Sequence, residues 1–181
     1  MTDRPPRADA RRNRDKVLRA AQDAFAASGY GVPLDEIATL AGVGPGTVYR
    51  HFPSKEHLFA AVVAAWLAEL TDDLRARASD PDPASAFYGF VAKLATDAAE
   101  KPGMPDAITI PGDLQADLQA AITALLARAQ QAGAVRPEIT TPDLIILLTG
   151  LLRATNGTPP GTATRLFTIA ADGLRPPRPG T

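Results

Sequence analysis

The sequence predicts an all-helical protein, and three observations favour this fold class. Apolar residues recur three and four positions apart along most of the chain, whereas the alternating pattern of a β-strand is not found in the sequence. Glycine, proline and capping residues divide the periodic segments into helices of ordinary length. With 181 residues, of which 45% are hydrophobic and 22% charged, the chain can bury a core. We expect a three-helix module at residues 11–53, followed by a larger helical body at residues 54–175.

The first predicted helix covers residues 11–28 and follows a basic arm, residues 1–10, that we expect to be disordered. One side of this helix is basic and carries Arg12, Lys16 and Arg19. The opposite side is apolar or small and carries Val17, Ala21, Ala24, Phe25 and Ser28. Gly29 ends the helix, because glycine enters the left-handed conformation without a steric penalty. Residues 1–20 hold seven basic and three acidic side chains, which form either a solvated tail or a surface that meets phosphate.

Two short helices follow, joined by a glycine-containing turn. The second predicted helix begins at Pro33 or Leu34 and ends at Gly42. The third begins at Pro45 and ends before Pro53, because proline suits the first turn of a helix and not its interior.

The glycines around this turn raise the alternative of a nucleotide-binding loop. A dinucleotide loop follows a strand and carries a third glycine where Thr47 stands, and a Walker loop ends in Gly-Lys-Ser or Gly-Lys-Thr. The sequence meets neither requirement. Two short helices after a basic helix instead predict a helix-turn-helix, whose second helix can enter the major groove of DNA.

The third predicted helix has an outward face suited to DNA. Val48 and Phe52, four residues apart, are expected to point inward, which leaves Thr47, Arg50 and His51 outward. An arginine can bridge O6 and N7 of guanine, and hydroxyl or imidazole groups can reach phosphates. The candidate DNA-binding residues are Pro45, Gly46, Thr47, Tyr49, Arg50, His51, Lys55 and Arg12.

The run GVGPGTVYRHFPSKEHLF resembles the recognition helix and following motif of the TetR family of bacterial transcriptional regulators, within a match over about residues 11–62. The resemblance implies a helix-turn-helix DNA-binding head on a larger ligand-binding body that dimerises through its last two long helices. It implies phosphate contacts at Thr47, Tyr49, His51 and Lys55. It implies base reading at Pro45, Gly46, Thr47 and Arg50. The sequence departs from the family pattern at Val32-Pro33 and Gly44, where many relatives carry Ser or Thr. We therefore expect fewer phosphate contacts than is usual in the family.

Further helices are predicted along the body. Ser54 is a good N-cap for a long helix to about residue 78, and DPDPAS at residues 80–85 breaks it. The remaining predicted helices cover about residues 84–101, 113–132, 141–155 and 162–174. An irregular, proline-rich segment joins the first two of these, and residues 176–181 form a tail that we expect to be disordered.

Two sets of apolar residues in the body are candidates for binding. The first lines either the core or an apolar ligand pocket and comprises Trp66, Leu70, Phe87, Phe90, Val91, Leu94, Met104 and Ile108. The second lies on the last two predicted helices, where DLIILLTGLLRAT is apolar nearly all round and so predicts burial against a partner chain or wholly within its own core. The candidate dimer interface comprises Leu144, Leu148, Gly150, Leu151, Ala154, Leu166, Phe167 and Ala170.

The sequence argues against an enzyme, a metal site, a cofactor and a membrane span. It has no cysteine, and its two histidines, His51 and His57, lie on either side of a proline with no third ligand near them. No serine lies in a nucleophile elbow. No apolar run in the sequence approaches the ~20 residues of a membrane span, so we expect a cytoplasmic protein.

We therefore expect a homodimeric, sequence-specific DNA-binding regulator that acts as a repressor. Its expected partners are double-stranded operator DNA and a small-molecule effector of unknown identity that releases it. A dimer would place two recognition helices ~34 Å apart, or a multiple of that distance, on a near-palindromic operator. The alternative is a dimeric helical protein that binds small molecules and reads no specific DNA sequence.

Overall fold

The computed structural model describes residues 6–100 and 112–177, and within those two ranges it contains α-helices and no β-strand. The predicted all-α class is confirmed. The helices are α1 (Pro6–Ser28), α2 (Leu34–Ala41), α3 (Pro45–His51), α4 (Lys55–Arg77), α5 (Pro83–Glu100), α6 (Gly112–Gln131), α7 (Thr141–Ala154) and α8 (Thr162–Leu174). A short 3-10 turn, Gly29–Gly31, follows α1.

The chain divides into two compact units, and the division falls inside α4. Among the described residues, the head comprises residues 6–65 and the body comprises residues 66–100 and 112–177. The head thus extends beyond residue 53, where the sequence places its end. The physical reason is that Leu58 and Phe59, in the first turns of α4, are buried within the head.

The start of α1 corrects the prediction of a disordered arm for residues 6–10. The helix begins at Pro6, five residues before the predicted start at Arg11, and Asp9 in its first turn pairs with Arg12. Proline suits this position because its fixed φ matches a helix, and an acidic residue near a helix N-terminus is favoured by the helix dipole. Residues 1–5 lie outside the described residues.

The head core is built from the predicted inward faces of its first three helices. Helix α1 packs against α2 and α3. The buried side chains include Val17, Ala21, Phe25, Ile37, Ala38 and Val48. Ser28, predicted on the apolar side of α1, is instead exposed at the end of that helix. Gly29 and Gly42 take φ values of 71° and 65°, so both predicted helix stops are confirmed.

The body core is centred on α5, which packs against α6, α7 and α8. Phe87 and Phe90 on α5 are 0% and 1% exposed. A capping box begins α7, because the backbone N–H of Asp143 donates to Thr140 Oγ1 at 3.3 Å and the Thr140 N–H donates to the Asp143 carboxylate at 3.0 Å. The body is therefore a packed helical domain with its own core.

Candidate nucleic-acid interface

Helix α3 is held in the head by one buried side chain and a tight turn. Val48 is fully buried, and the N–H of Phe52 donates to the carbonyl of Val48 at 2.8 Å to close the helix. Gly42 ends α2 in the left-handed conformation, and the Thr47 N–H donates to the Gly44 carbonyl at 2.8 Å to begin α3. Helices α2 and α3 and the turn between them therefore form the predicted helix-turn-helix.

The outward face of α3 is centred on Gly46, Tyr49 and Arg50. All three are exposed, and Tyr49 is 49% exposed. Gly46 and Arg50 are four residues apart and lie on the side of the helix opposite Val48. The sequence placed Thr47 and His51 outward beside Arg50, but both are half-buried, because they flank Val48 on the helix.

Arg50 is available for recognition. It forms no ion pair within the described ranges, whereas other arginines of the chain pair with carboxylates within one or two helical turns or across helices. Its guanidinium carries five N–H donors in a rigid fork that matches the acceptor pair of guanine. An exposed arginine without a carboxylate partner on a short helix is suited to reading a base edge.

Two arginines of α1 differ in their contacts. Arg12, a predicted DNA contact, forms an ion pair with Asp9. Arg14 places its guanidinium carbon 5.2 Å from the centre of the Phe52 ring, next to the end of α3. The position of Arg14 was not predictable from the sequence, because a cation–π contact between a helix and a distant residue leaves no periodic signal.

The start of α4 carries a connected set of polar contacts. Ser54 accepts a hydrogen bond from the backbone N–H of His57 at 3.4 Å, so the predicted N-cap is confirmed. The Ser54 hydroxyl donates to Glu56 at 2.5 Å, and the Tyr30 hydroxyl donates to the other oxygen of Glu56 at 3.0 Å. The hydrogen bond from Ser54 lowers the pKa of the Glu56 carboxyl, so this carboxylate is an acceptor at neutral pH.

Lys55, a predicted phosphate contact, lies over an aromatic ring. Its Nζ atom is 4.7 Å from the centre of the Tyr30 ring. Partial burial raises the pKa of the Tyr30 hydroxyl, and the hydrogen bond to Glu56 raises it further, so Tyr30 remains the protonated donor at neutral pH. Lys55 itself is half-buried, and its ammonium group lies over the face of this ring.

The predicted pocket residues that the structure describes lie in or against the body core. Leu70, Phe87, Phe90, Val91 and Leu94 are each at most 6% exposed and belong to one hydrophobic cluster. Trp66 packs against this cluster. Met104 and Ile108 lie outside the described residues. The five buried side chains are therefore core residues, and the ligand pocket stays a prediction.

Three residues of the predicted dimer interface are buried within their own chain. Leu144, Leu148 and Phe167 are 1%, 3% and 1% exposed, because their side chains pack into the core of their own body. Leu151, Leu166 and Ala170 are half-buried, while Gly150 and Ala154 are exposed. The large apolar side chains that the last two helices leave most exposed are Ile146 and Ile169, at 69% and 66%.

The exposed side of α8 also borders an open groove of about 570 Å³. The groove is lined by Gly161, Thr164, Arg165, Thr168 and Ile169. Within the part of the chain that the structure describes, we find no cluster of three or more potential metal-ligating residues. No helix in the same ranges is long and apolar enough to cross a membrane.

Substitution of Gly46 separates the role of α3 in stability from its role in DNA binding. A Cβ atom added at Gly46 meets nothing within 4 Å, and the backbone there is not left-handed. We expect Gly46→Ala to leave the unfolding free energy within about 1 kcal/mol of the wild type. We also expect it to weaken DNA binding by about 5- to 100-fold, because Gly46 is a predicted base-reading position at which an added methyl group would intrude on the DNA. Thermal unfolding and fluorescence anisotropy on operator DNA measure the two effects.

Gly42→Ala is the matched control for this test. Gly42 has a φ of 65°, so alanine there should lower the unfolding free energy by about 1–2 kcal/mol through backbone strain. Unchanged DNA affinity in Gly46→Ala would mean that the start of α3 does not approach the DNA closely.

Two family profiles match the chain in separate regions. One is described as bacterial regulatory proteins, tetR family, and matches residues 17–62. The other is described as the C-terminal domain of SbtR-like transcriptional regulators and matches residues 82–176, which is more than half of the chain.

Curated relatives match over less than half of the chain. The transcriptional regulator TcmR of Streptomyces glaucescens is 34% identical over 80 residues, which make up 44% of this chain and 35% of TcmR. RutR of Escherichia coli K12 is 37% identical over 76 residues, which make up 41% of this chain and 36% of RutR. Each match thus spans about a third of the length of the curated relative.

Solved structures match over nearly the whole chain. A TetR transcription regulatory protein from Mycobacterium vanbaalenii is 36% identical with a TM-score of 0.69, covering 95% of this chain and 100% of that protein. The regulator SCO0520 from Streptomyces coelicolor is 32% identical with a TM-score of 0.68, covering 90% of this chain and 98% of that protein.

Proposed function

The chain belongs to the TetR family of bacterial transcriptional regulators, and from this we propose that it binds operator DNA as a homodimeric repressor in the bacterial cytoplasm. The observation that carries the proposal is the outward face of α3, where Gly46, Tyr49 and Arg50 are exposed while Val48 anchors the helix. The family is one of regulators and not of enzymes.

We assign the contacts by exposure and chemistry. Arg50 reads a base pair in the major groove, because its fork is free of ion pairs among the described residues and lies opposite the buried side of α3. Pro45 and Gly46 allow the start of the helix to approach the DNA. Tyr49, Lys55, and the half-buried Thr47 and His51 contact phosphates, and the phosphate contacts set the register of the helix.

The proposal is tested by fluorescence anisotropy of the purified protein at fixed physiological salt. The DNA upstream of its own gene is compared with a scrambled duplex of the same composition. A preference of ~10³-fold or more for the upstream DNA is the expected result for a specific regulator. Equal binding to both duplexes, followed by no enrichment in a genome-wide selection of bound fragments, would favour the alternative of a helical small-molecule binder without sequence reading.

Homodimer formation is proposed through the exposed sides of α7 and α8. Ile146 and Ile169 are large apolar side chains in contact with solvent, and Gly150 and Ala154 leave room for close approach of a second helix. Burial of these side chains against the same face of a second copy satisfies the requirement of a two-fold interface, in which each patch meets itself.

Ile169→Glu is expected to weaken dimerisation by about 3 kcal/mol or more, since it buries an unpaired carboxylate in the interface. This corresponds to a rise of about 100-fold or more in the dimer dissociation constant. Analytical ultracentrifugation over a protein dilution series measures the change. Leu40→Glu is the matched control, because Leu40 is 60% exposed on the head and its replacement should leave the dimer intact. A dimer that survives Ile169→Glu unchanged would place the interface elsewhere.

An effector site is proposed beside Trp66 in the body. The indole N–H of Trp66 is buried and has no hydrogen-bond partner among the described residues. A buried donor without a partner is costly, and an acceptor on a bound molecule would satisfy it. We propose that the effector is a largely apolar molecule that carries a hydrogen-bond acceptor, and that it releases the protein from DNA.

Trp66 also supplies the test of this site, because it is the single tryptophan of the chain. Compounds that release operator DNA in the anisotropy assay are expected to change the intensity or emission maximum of tryptophan fluorescence. They should lose potency on Trp66→Phe, which keeps an aromatic ring and removes the donor. Effectors that act equally on the wild type and on Trp66→Phe would exclude a contact with the indole N–H.

A further inference from the structure

We infer that Tyr30 is a positioning residue for DNA binding: its ring holds the ammonium group of Lys55 in place for a phosphate contact. The inference rests on the proposed DNA binding and adds a residue that lies outside α3 and the basic side of α1. Tyr30 itself is not required to touch the DNA.

The first observation is the position of the lysine charge. Lys55 Nζ lies 4.7 Å from the centre of the Tyr30 ring, well within the range of a cation–π contact. Lys55 forms no ion pair within the ranges that the structure describes. An ammonium group has three N–H donors, so one side can rest on the ring while the others point to a phosphate.

The second observation is that the ring is fixed by its own neighbours. Phe25 stacks near it with ring centres 6.1 Å apart and an angle of 24° between the planes. Phe59 meets it edge to face at 5.1 Å and 88°. Phe25 and Phe59 are both buried, so Tyr30 stands on a rigid part of the head core.

The third observation is that the hydroxyl end of Tyr30 is fixed as well. It donates to Glu56 at 3.0 Å, and Glu56 accepts a second hydrogen bond from Ser54 at 2.5 Å. Ser54 in turn caps α4 through the His57 N–H. The ring that supports Lys55 is therefore tied to the helix that carries Lys55.

These contacts have a consequence for binding. A lysine side chain is flexible, and its ordering on a phosphate opposes association. A ring that already restricts the position of the ammonium group reduces this loss. The gain expected from a solvent-exposed cation–π contact corresponds to about 2- to 5-fold in affinity.

A double-mutant cycle tests the inference on operator DNA by fluorescence anisotropy across a salt series. Lys55→Met should weaken binding to all sequences alike and reduce the salt slope by about 1. Tyr30→Leu should weaken binding by about 2- to 5-fold when Lys55 is present and have no further effect in the Lys55→Met background. Tyr30→Phe is the matched control and should lose clearly less affinity than Tyr30→Leu, because it keeps the ring and removes only the hydroxyl.

Two outcomes would overturn the inference. An equal loss from Tyr30→Leu in both backgrounds would show that Tyr30 acts through the fold of the head and not through Lys55. A loss in Tyr30→Phe as large as in Tyr30→Leu would show that the hydrogen bond to Glu56, and not the ring, is responsible. Wild-type protein without specific DNA binding would instead contradict the proposed function itself.

A measurement on the free protein covers the case in which Tyr30→Leu does not fold. In NMR spectra of the wild type and of Tyr30→Phe, the side-chain Hε protons of Lys55 should be shifted upfield by the ring current, with Lys93 of the body as reference. Lys55 and Lys93 resonances at the same random-coil position would overturn the inference without any binding experiment.

Discussion

Phe167→Ala is expected to lower the free energy of unfolding by about 3–5 kcal/mol, the largest stability effect among our predictions. Phe167 is 1% exposed on α8 and belongs to the cluster that also contains Phe87 and Leu144. The substitution removes most of a buried aromatic side chain and leaves a cavity that the surrounding helices fill only in part. Urea denaturation followed by circular dichroism measures the loss.

The control for Phe167→Ala is the same substitution at an exposed apolar residue. Leu40→Ala removes a side chain that is 60% exposed, so it should change the unfolding free energy by no more than about 0.5 kcal/mol. If Phe167→Ala costs less than about 1 kcal/mol and dissociates the dimer, the side chain belongs to the interface after all. The result thus decides between a core role and an interface role for Phe167.

Arg50→Ala is expected to cost about 1–3 kcal/mol in binding to the intact operator, and the loss should concern one base-pair position. The reason is that a bidentate contact to guanine discriminates that base from the other three. Anisotropy titrations with a set of operators, each altered at one base pair, measure the effect. The Arg50→Ala variant should bind the intact operator and the operator altered at the position that Arg50 reads with equal affinity. Base-pair changes at all other positions should still lower its affinity as they do for the wild type.

Lys55→Met separates a base contact from a phosphate contact in this experiment. It should weaken all operators alike and reduce the salt dependence, because it removes a charge that displaces counterions. A uniform loss across the operators from Arg50→Ala, like that from Lys55→Met, would assign Arg50 to a phosphate. DNA shape also contributes to specificity at positions without contacts, so the operator set must include the central base pairs.

Local signals account for the parts of the fold that the sequence predicted well. Gly29, Gly42 and Ser54 end or begin helices because their preferences are set by the adjacent backbone alone. The inward position of Val48 follows from helical spacing over a single turn. The family resemblance added the functional meaning of α3, which spacing alone does not provide.

The structure differs from the sequence prediction where contacts between distant parts of the chain determine the fold. The side of α7 that faces the core was not predictable, because an almost uniformly apolar helix has no preferred face; Leu144 is buried while Ile146, two residues later, is exposed. The boundary of the head depends on Phe59 packing against Phe25, a contact between α4 and α1. The contact of Lys55 with Tyr30 is of the same kind, since it joins residues that no local pattern relates.

Helix α3 divides its tasks between residues on opposite sides. Val48 is fully buried, whereas Gly46, Tyr49 and Arg50 are exposed and contribute little to the packing of the head. Mutations at the exposed positions therefore meet little selection for folding, and a duplicated copy of the gene can drift toward a new operator while its product remains stable. Specificity in such a regulator can evolve in single steps, without the compensating substitutions that a change in the core requires.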